Sequence, residues 1–250
     1  MAPAVFSDVE LPPKGVPESL ETPAAATPAN KSFSLEGKTI AITGGGRGLG
    51  ITLALAVVEA GGSVACLDIL DSPSADEWTR LTKLAKASRR AVSYHKCDVT
   101  DEQAVETVME VVSQEAEALG APFWGTIACA GIQQQIPALD YPAADFDRML
   151  RVNVTGVFNT CKYTARMLQA KKSPGSIVII SSMSGNVANR VTLPSHPLDS
   201  CLAANSGEQG LSCTAYNSSK AAVQQMCRSV AQEWGRFGIR VNTLSPGVGP

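Results

Sequence analysis

The feature that most constrains the fold is a strand that passes through glycines directly into a helix, at Thr39–Gly50 (TIAITGGGRGLG). Thr39–Thr43 is a short β-branched run, typical of a parallel strand buried on both faces. The glycines permit positive φ and close backbone approach, and the helix-forming run Ile51–Ala60 follows them. A helix N-terminus offers free N–H groups and a positive dipole end, which suits a pyrophosphate. Because glycine-rich turns are common, this stretch alone leaves a dinucleotide site open.

An acid ends the second predicted strand, Ser63–Asp68, which lies after a glycine helix stop. Asp68 comes 18 residues after Gly50. A carboxylate there accepts hydrogen bonds from an adenosine ribose diol and repels a 2′-phosphate, which favours NAD over NADP. Arg47 favours the opposite choice, because a guanidinium pairs with that phosphate. We give Asp68 more weight and expect NAD, with NADP as the alternative cofactor. The alternative for Asp68 itself is a solvated strand end with no role in binding.

The rest of the chain alternates strands and helices. Further strands are predicted at Ala91–Cys97, Trp124–Gly131, Gly175–Ser182 and Gly238–Ser245, and further helices at Trp78–Ser88, Glu102–Ala118, Ala143–Ala170 and Tyr216–Phe237. Thr100 and Gln103 form a predicted capping box before the third helix. This order predicts an α/β fold, a doubly wound parallel sheet of the Rossmann type with six visible strands. Cofactor and substrate then meet at the carboxyl ends of the strands.

Composition limits the class of protein. The chain has 250 residues, of which 44% are hydrophobic and 18% charged, enough for one domain, predicted at residues 33–250. Residues 1–32 are interrupted by prolines and are predicted to be a disordered tail without a targeting signal. A net charge of -2 gives no case for nucleic acid or an anionic membrane, and no run is long enough to span a bilayer. Seven scattered cysteines indicate reduced thiols in a cytoplasmic protein, and no metal site is expected.

Several polar residues fall where chemistry is expected. Tyr216 and Lys220 are four residues apart on one predicted helix face, and an ammonium beside a phenol favours the phenolate, usable as an acid or base. Ser182, at a strand end, can donate to a substrate carbonyl as negative charge develops. Asn153, within an apolar stripe, is either a structural bridge to backbone or part of a polar site. Asp98, at another strand end, meets an adenine amine or caps its own turn. A pair such as YxxxK also occurs by chance on surface helices, so it indicates a catalytic site only in combination with the other motifs.

Taken in this order, the motifs are similar to those of the short-chain dehydrogenase/reductase family over about Leu35 to Gly247. The segments that carry the resemblance are TGGGRGLG (Thr43–Gly50), Asp68, CDV (Cys97–Val99), VNV around Asn153, ISS ending at Ser182, YNSSK (Tyr216–Lys220) and RVNTLSPG (Arg240–Gly247). SSMSGNVANR and AQEWGRFGIRVN are also similar to fungal polyol dehydrogenase and ketose reductase members of that family.

The resemblance implies a tetrad of Asn153, Ser182, Tyr216 and Lys220. Tyr216 would be the general acid/base, and Ser182 would polarise the carbonyl or alcohol. Lys220 would favour the phenolate and hold the nicotinamide ribose, while Asn153 would hold a water that relays protons to Lys220. The expected dinucleotide contacts are Gly44, Arg47, Gly48, Leu49, Gly50, Asp68, Asp98, Val99, Ala130, Gly131, Tyr216, Lys220, Pro246 and Gly247.

Three departures from the family pattern affect what is expected. Ala128–Gly131 replaces an asparagine-rich turn, so side-chain amides that tie the central strands together are lost. Ser182 and Tyr216 are 34 residues apart, which predicts an inserted loop at about residues 190–212, at the mouth of the site. The family's substrate-covering loop and helix and its seventh strand are expected to be missing after Pro250, which would leave a truncated domain with an exposed strand edge.

The resulting hypothesis is an NAD(P)-dependent oxidoreductase that interconverts a small-molecule secondary alcohol and a ketone by hydride transfer. The alternative from another class is a catalytically silent dinucleotide-binding protein, or a fragment of a longer family member. The resemblance also implies a possible homodimer or homotetramer, in which the helices Ala143–Ala170 and Tyr216–Phe237 pair with those of a second copy.

Overall fold

Six parallel strands form one sheet in the residues that the structure, a computed structural model, describes, which are 33–188 and 212–247. The predicted tail and the predicted insert, apart from its last residue, lie outside these ranges. The strands are β1 Thr39–Thr43, β2 Ser63–Asp68, β3 Val92–Lys96, β4 Phe123–Ala128, β5 Gly175–Ile180 and β6 Ile239–Leu244. Their order, β3-β2-β1-β4-β5-β6, confirms the doubly wound α/β prediction.

Helices join the successive strands. They are α1 Gly48–Glu59, α2 Ala75–Ala87, α3 Glu102–Ala118, α4 Ala143–Leu150, α5 Val157–Ala170 and α6 Thr214–Trp234. Short 3₁₀ turns lie at Ala138–Asp140, Met183–Gly185 and Gly235–Phe237. The bounds of β1, β2 and α3 are those predicted, whereas α1 begins three residues earlier because the glycines themselves form its first turn.

The predicted long helix Ala143–Ala170 is interrupted. Between α4 and α5 the chain forms a π-helical turn, Arg151–Gly156. Such a turn places one extra residue in the helical repeat, is rare and is found frequently at functional sites. Its middle holds Asn153, a fully buried side chain. The sequence pattern did not indicate this turn, because the apolar spacing on either side of it suits an ordinary α-helix.

The sheet separates two apolar layers. Ile40 and Ile42 of β1 face α1 and α2, where Ile51, Val58 and Leu81 are buried. The alternate strand positions face the other layer, formed by residues of α3, α5 and α6: Val105, Met109, Val112, Val157, Cys161, Leu168, Val223, Cys227 and Val230. A strand buried on both faces needs apolar residues at successive positions, which is the pattern read in TIAIT and SVACLD.

The register brings three strand ends to one edge of the sheet. Thr43, the last residue of β1, is level with Leu67 of β2 and with Ala128 of β4. The Thr43 hydroxyl also accepts hydrogen bonds from the backbone N–H groups of Cys129 (3.2 Å) and Ala130 (3.3 Å). This hydroxyl ties β1 to the turn after β4, where the family pattern has asparagine amides.

The start of α3 corrects one expectation. The predicted capping box of Thr100 and Gln103 is not formed, because Asp101 is the N-cap and accepts from the Ala104 N–H at 3.1 Å. Thr100 instead bonds to Asp98. Asp is a better N-cap than Thr, and here Thr100 is held in the turn before the helix.

Candidate active site

A cleft of about 810 Å³ opens where β1, β2, β3 and β4 end. Its lining comes from the glycine turn, from the residues after β2, β3 and β4, and from the end of α4 with the π turn. The lining residues are Gly44, Arg47, Gly48, Leu49, Gly50, Asp68, Ile69, Glu77, Cys97, Asp98, Val99, Thr100, Cys129, Ala130, Gly131, Ile132, Arg148, Arg151 and Val152. Ten of the fourteen predicted dinucleotide contacts are therefore in one cavity, at the edge where an α/β sheet binds its ligands.

The glycine turn forms the floor of this cleft by close backbone approach. A Cβ on Gly50 would lie 1.9 Å from the Gly44 carbonyl oxygen, and one on Gly44 would lie 2.9 Å from the Ala130 Cα. Gly44 also has a φ of +67°, which a side chain would strain. Arg47 is the N-cap of α1, and its side chain makes no capping hydrogen bond. The first turn of α1 thus presents its backbone to the cleft, apart from the Gly48 N–H, which donates to Glu77, and this fits an anionic pyrophosphate.

Asp68 sits over the glycine turn rather than in solvent. Its carboxylate accepts from the Gly46 N–H at 2.9 Å and from the Leu70 N–H at 3.2 Å, and the residue is 9% exposed. Each carboxylate oxygen has two lone pairs, so acceptor capacity is left for the hydroxyls of a ribose. The position and chemistry of Asp68 therefore fit the adenosine ribose of a dinucleotide.

Asp98 caps its own turn. One of its carboxylate oxygens accepts from the Thr100 N–H at 2.9 Å and from the Thr100 hydroxyl at 2.8 Å. Asp98 and the next residue, Val99, nevertheless line the cleft. Asp98 can therefore cap its turn and also line the cleft, because the turn itself is part of the cavity lining.

Lys220 is the most buried charge near the cleft. It is 5% exposed, and its Nζ donates to the Ile180 carbonyl oxygen at 2.8 Å. The same Nζ lies 5.5 Å from the centre of the Tyr216 ring. Burial lowers the pKa of the Lys220 ammonium from 10.5 to about 8, so at neutral pH the group is still a cation. The structure thus brings a buried cation close to the half-buried Tyr216 ring.

Asn153 joins the π turn to the loop after β4. Its Nδ2 donates to the Ile132 carbonyl at 2.9 Å, and its Oδ1 accepts from the Ile132 N–H at 2.8 Å. Nδ2 also lies 3.0 Å from the Ser219 hydroxyl oxygen, in the same turn of α6 as Lys220. Of the two interpretations left open by the sequence, the structure shows a bridge to backbone, and the predicted water relay stays a prediction.

Ser182 follows β5 and begins the 3₁₀ turn. Its hydroxyl oxygen accepts from the Ser184 N–H at 3.2 Å and lies 3.1 Å from the Ser184 hydroxyl. The carbonyl of Ser182 accepts from Gln224 of α6 at 3.2 Å. These bonds fix the end of β5 against α6, the helix that carries Tyr216 and Lys220.

The tetrad residues and the last two predicted contacts lie outside the cavity lining. Gly131 connects the two regions, because a Cβ there would lie 3.3 Å from the Asn153 Oδ1 and 3.7 Å from the Lys220 Nζ. Pro246 accepts from the Met183 N–H at 3.0 Å through its carbonyl, and a Cβ on Gly247 would lie 3.6 Å from the Met183 sulfur. Pro246 and Gly247 therefore pack on the turn that follows Ser182 rather than on the glycine turn.

Sequence reasoning missed several residues of the cleft. Arg148 and Arg151 stand on one wall, and Glu77 accepts from the Gly48 N–H with both carboxylate oxygens, at 3.1 and 3.3 Å. No local signal marks Glu77, which is 29 residues from Gly48 in the chain. Cys129 also lines the cleft, and burial raises the pKa of its thiol to about 11, so it is neutral there.

In the described residues, 33–188 and 212–247, no group of three or more His, Cys, Asp or Glu side chains is arranged to hold a metal ion. No helix in the same part of the chain has the length and apolar character needed to cross a membrane.

Family models, curated relatives and solved structures all relate the chain to dehydrogenases and reductases. A family described as short chain dehydrogenase matches residues 38–194, and one described as enoyl-(acyl carrier protein) reductase matches residues 200–249. The chain is 40% identical to short chain dehydrogenases/reductase notP′ of Aspergillus versicolor, over 86% of this chain and 68% of that protein. It is 32% identical to the ribulose-forming D-arabinitol 2-dehydrogenase of Candida tropicalis, over 86% and 72%. The crystal structure of an NADPH-dependent 3-quinuclidinone reductase from Rhodotorula rubra matches with a TM-score of 0.71 and 32% identity, over 93% and 77%.

Proposed function

The chain belongs to the short-chain dehydrogenase/reductase family of NAD(P)-dependent oxidoreductases, and we propose that it interconverts a secondary alcohol of the polyol class and its ketone, with NAD as the preferred dinucleotide. The observation that carries this proposal is the buried Lys220 ammonium beside the Tyr216 ring, next to a cleft floored by glycine backbone. The D-arabinitol dehydrogenase relative supports the polyol class.

Proton transfer is assigned to Tyr216. When bound, the nicotinamide supplies or accepts the hydride. In oxidation the deprotonated Tyr216 oxygen takes the proton of the substrate alcohol, and in reduction the Tyr216 hydroxyl gives a proton to the ketone oxygen. Lys220 keeps a positive charge close to the Tyr216 ring, because the Ile180 carbonyl holds its ammonium in place. Ser182 donates a hydrogen bond to the substrate oxygen where negative charge develops.

The choice of NAD rests on Asp68. Its carboxylate is fixed over the glycine turn by the Gly46 and Leu70 N–H groups, so it cannot move away from a 2′-phosphate. Arg47 is exposed, and no ion pair joins it to any of the described residues. The preference is not taken from relatives, since the Rhodotorula rubra reductase named above uses NADPH.

The test compares Tyr216→Phe with Tyr163→Phe. Tyr163 is a buried tyrosine of α5 whose hydroxyl donates to Glu102, away from the cleft. Turnover of a panel of polyols and ketoses is followed by the absorbance of the reduced dinucleotide, and dinucleotide binding is followed by thermal shift. We expect Tyr216→Phe to lower kcat by about 10²-fold or more with the thermal shift retained, and Tyr163→Phe to keep turnover.

Two results would contradict the proposal. Turnover that survives Tyr216→Phe would remove the tyrosine from proton transfer. Dinucleotide binding by the full chain, with no turnover of any secondary alcohol or ketone in the panel, would support the silent binding protein instead.

A further inference from the structure

The glycine turn is held by two carboxylates that come from different elements. Asp68, at the end of β2, accepts from the Gly46 N–H at 2.9 Å. Glu77, in the first turn of α2, accepts from the Gly48 N–H with both of its oxygens, at 3.1 and 3.3 Å. Both acids line the cleft. The N–H groups of Gly46 and Gly48 belong to residues two apart in the chain, so these two N–H groups are separated by at most about 7 Å.

This arrangement places two negative charges at one end of the cleft. Glu77 is half-buried, and it is tethered to the first residue of α1, where the helix dipole favours a carboxylate. Arg47 lies between the two N–H groups in sequence, but it is exposed and unpaired with the described residues. Asp76, the neighbour of Glu77 in α2, is exposed and is absent from the cleft lining.

We propose that Glu77 is a second specificity-determining residue for the dinucleotide, which acts with Asp68 to exclude a 2′-phosphate. This inference rests on the proposed function. A phosphate monoester carries about -1.5 to -2 charges at neutral pH, and beside Arg47 it would meet two fixed carboxylates. A ribose with a free 2′-hydroxyl carries no charge and can donate hydrogen bonds to the same carboxylates. Glu77 therefore selects NAD, and it does so without taking part in catalysis.

The experiment measures binding, not turnover. Dissociation constants of NAD⁺ and NADP⁺ are obtained by isothermal titration calorimetry for the full chain and for Glu77→Gln, Asp68→Asn and Asp76→Asn. Glutamine keeps an oxygen that accepts from the Gly48 N–H, so the turn is retained while the charge is removed. Asp76→Asn removes the same charge one residue away, outside the cleft, and is the matched control.

We expect Glu77→Gln to lower the ratio of the NADP⁺ to the NAD⁺ dissociation constant about three- to tenfold, an effect that shrinks as salt is added. The NAD⁺ constant itself should change by less than about twofold, and Asp76→Asn should leave the ratio within about twofold of the parent. Asp68→Asn should lower the ratio as well.

The results that overturn the inference are distinct from those that overturn the function. A Glu77→Gln ratio equal to that of Asp76→Asn, or an equal loss of affinity for both dinucleotides, would reduce Glu77 to a structural support of the turn. Parent protein that prefers NADP⁺ would refute both the inference and the proposed NAD preference, and would leave the proposed interconversion of alcohol and ketone standing. Parent protein that binds neither dinucleotide would overturn both.

Discussion

Replacing Asn153 with alanine separates a structural bridge from a catalytic water holder. The side chain is fully buried and joins the π turn to the loop after β4 through two reciprocal bonds with the Ile132 backbone, at 2.8 and 2.9 Å. It also contacts the Ser219 hydroxyl at 3.0 Å. Its Nδ2 also donates to the Met149 sulfur at 3.2 Å. Asn153→Ala removes all four contacts and leaves the N–H and C=O of Ile132 without this partner.

The magnitude follows from those two backbone groups. A buried polar group left unsatisfied costs about 1–3 kcal/mol, and Ile132 is half-buried, so each group falls in the lower part of that range. With the small cavity, we expect Asn153→Ala to lower the free energy of unfolding by about 2–4 kcal/mol. Asn159→Ala is the matched control: Asn159 is also buried, but it makes one bond, to the Val99 carbonyl at 3.1 Å, so we expect a loss of about 1–2 kcal/mol.

The assay is urea unfolding of the full chain without dinucleotide, followed by circular dichroism, with turnover measured on the same preparations. The reasoning would be refuted if Asn153→Ala changed the free energy of unfolding by less than about 0.5 kcal/mol while turnover fell. Asn153 would then act only through a held water, as the family resemblance implies.

Two further changes test other parts of the molecule. Gly50→Ala should destabilise the chain by about 3 kcal/mol or more, because its Cβ would lie 1.9 Å from the Gly44 carbonyl oxygen. In the control Gly235→Ala the new Cβ meets nothing within 4 Å, so the free energy of unfolding should stay within about 1 kcal/mol of the parent. Equal melting temperatures for the two variants would contradict the close approach. Lys220 has a folded-state pKa of about 8, below its ordinary 10.5. Between these two pH values the unfolded chain keeps a proton that the folded chain has lost. The contribution of Lys220 to the free energy of unfolding therefore rises with pH in this range. The stability advantage of Lys220→Met over the parent should therefore fall by about 2 kcal/mol between roughly pH 7 and pH 9.5 in urea titrations, and an unchanged difference would show that the ammonium is not desolvated.

Local pattern was enough to predict the architecture. The bounds of β1, β2 and α3 follow from runs of 5, 6 and 17 residues whose periodicity is read without any distant contact. The glycine turn and the acid that ends β2 were predicted in the same way. The prediction failed at the π turn within Ala143–Ala170 and at the N-cap of α3, where Asp101, the better capping residue, takes the place expected for Thr100.

The candidate site was predicted by residue type and only partly by role. Asp68 was expected to contact the adenosine ribose, and that role stays a prediction; the structure holds its carboxylate at the glycine turn by bonds from the Gly46 and Leu70 N–H groups. Lys220 was expected beside Tyr216, which their spacing on one helix requires. Its bond to the Ile180 carbonyl spans 40 residues of sequence, and no spacing rule indicates that bond. The burial that lowers its pKa to about 8 also depends on how α6 packs against β5 and β6.

The sequence by itself determined the strand and helix segments, their order along the chain, the glycine turn and the placing of Tyr216 and Lys220 on one helix face, because each depends on residues within about one turn or one strand of each other. Only the tertiary structure decided that Glu77 holds the Gly48 N–H across 29 residues and that Asn153 bridges to Ile132 from a π turn. The physical reason is that these bonds form between backbone groups and side chains brought together by the strand order. Their energy depends on burial and geometry, and neither is a property of a short stretch of sequence.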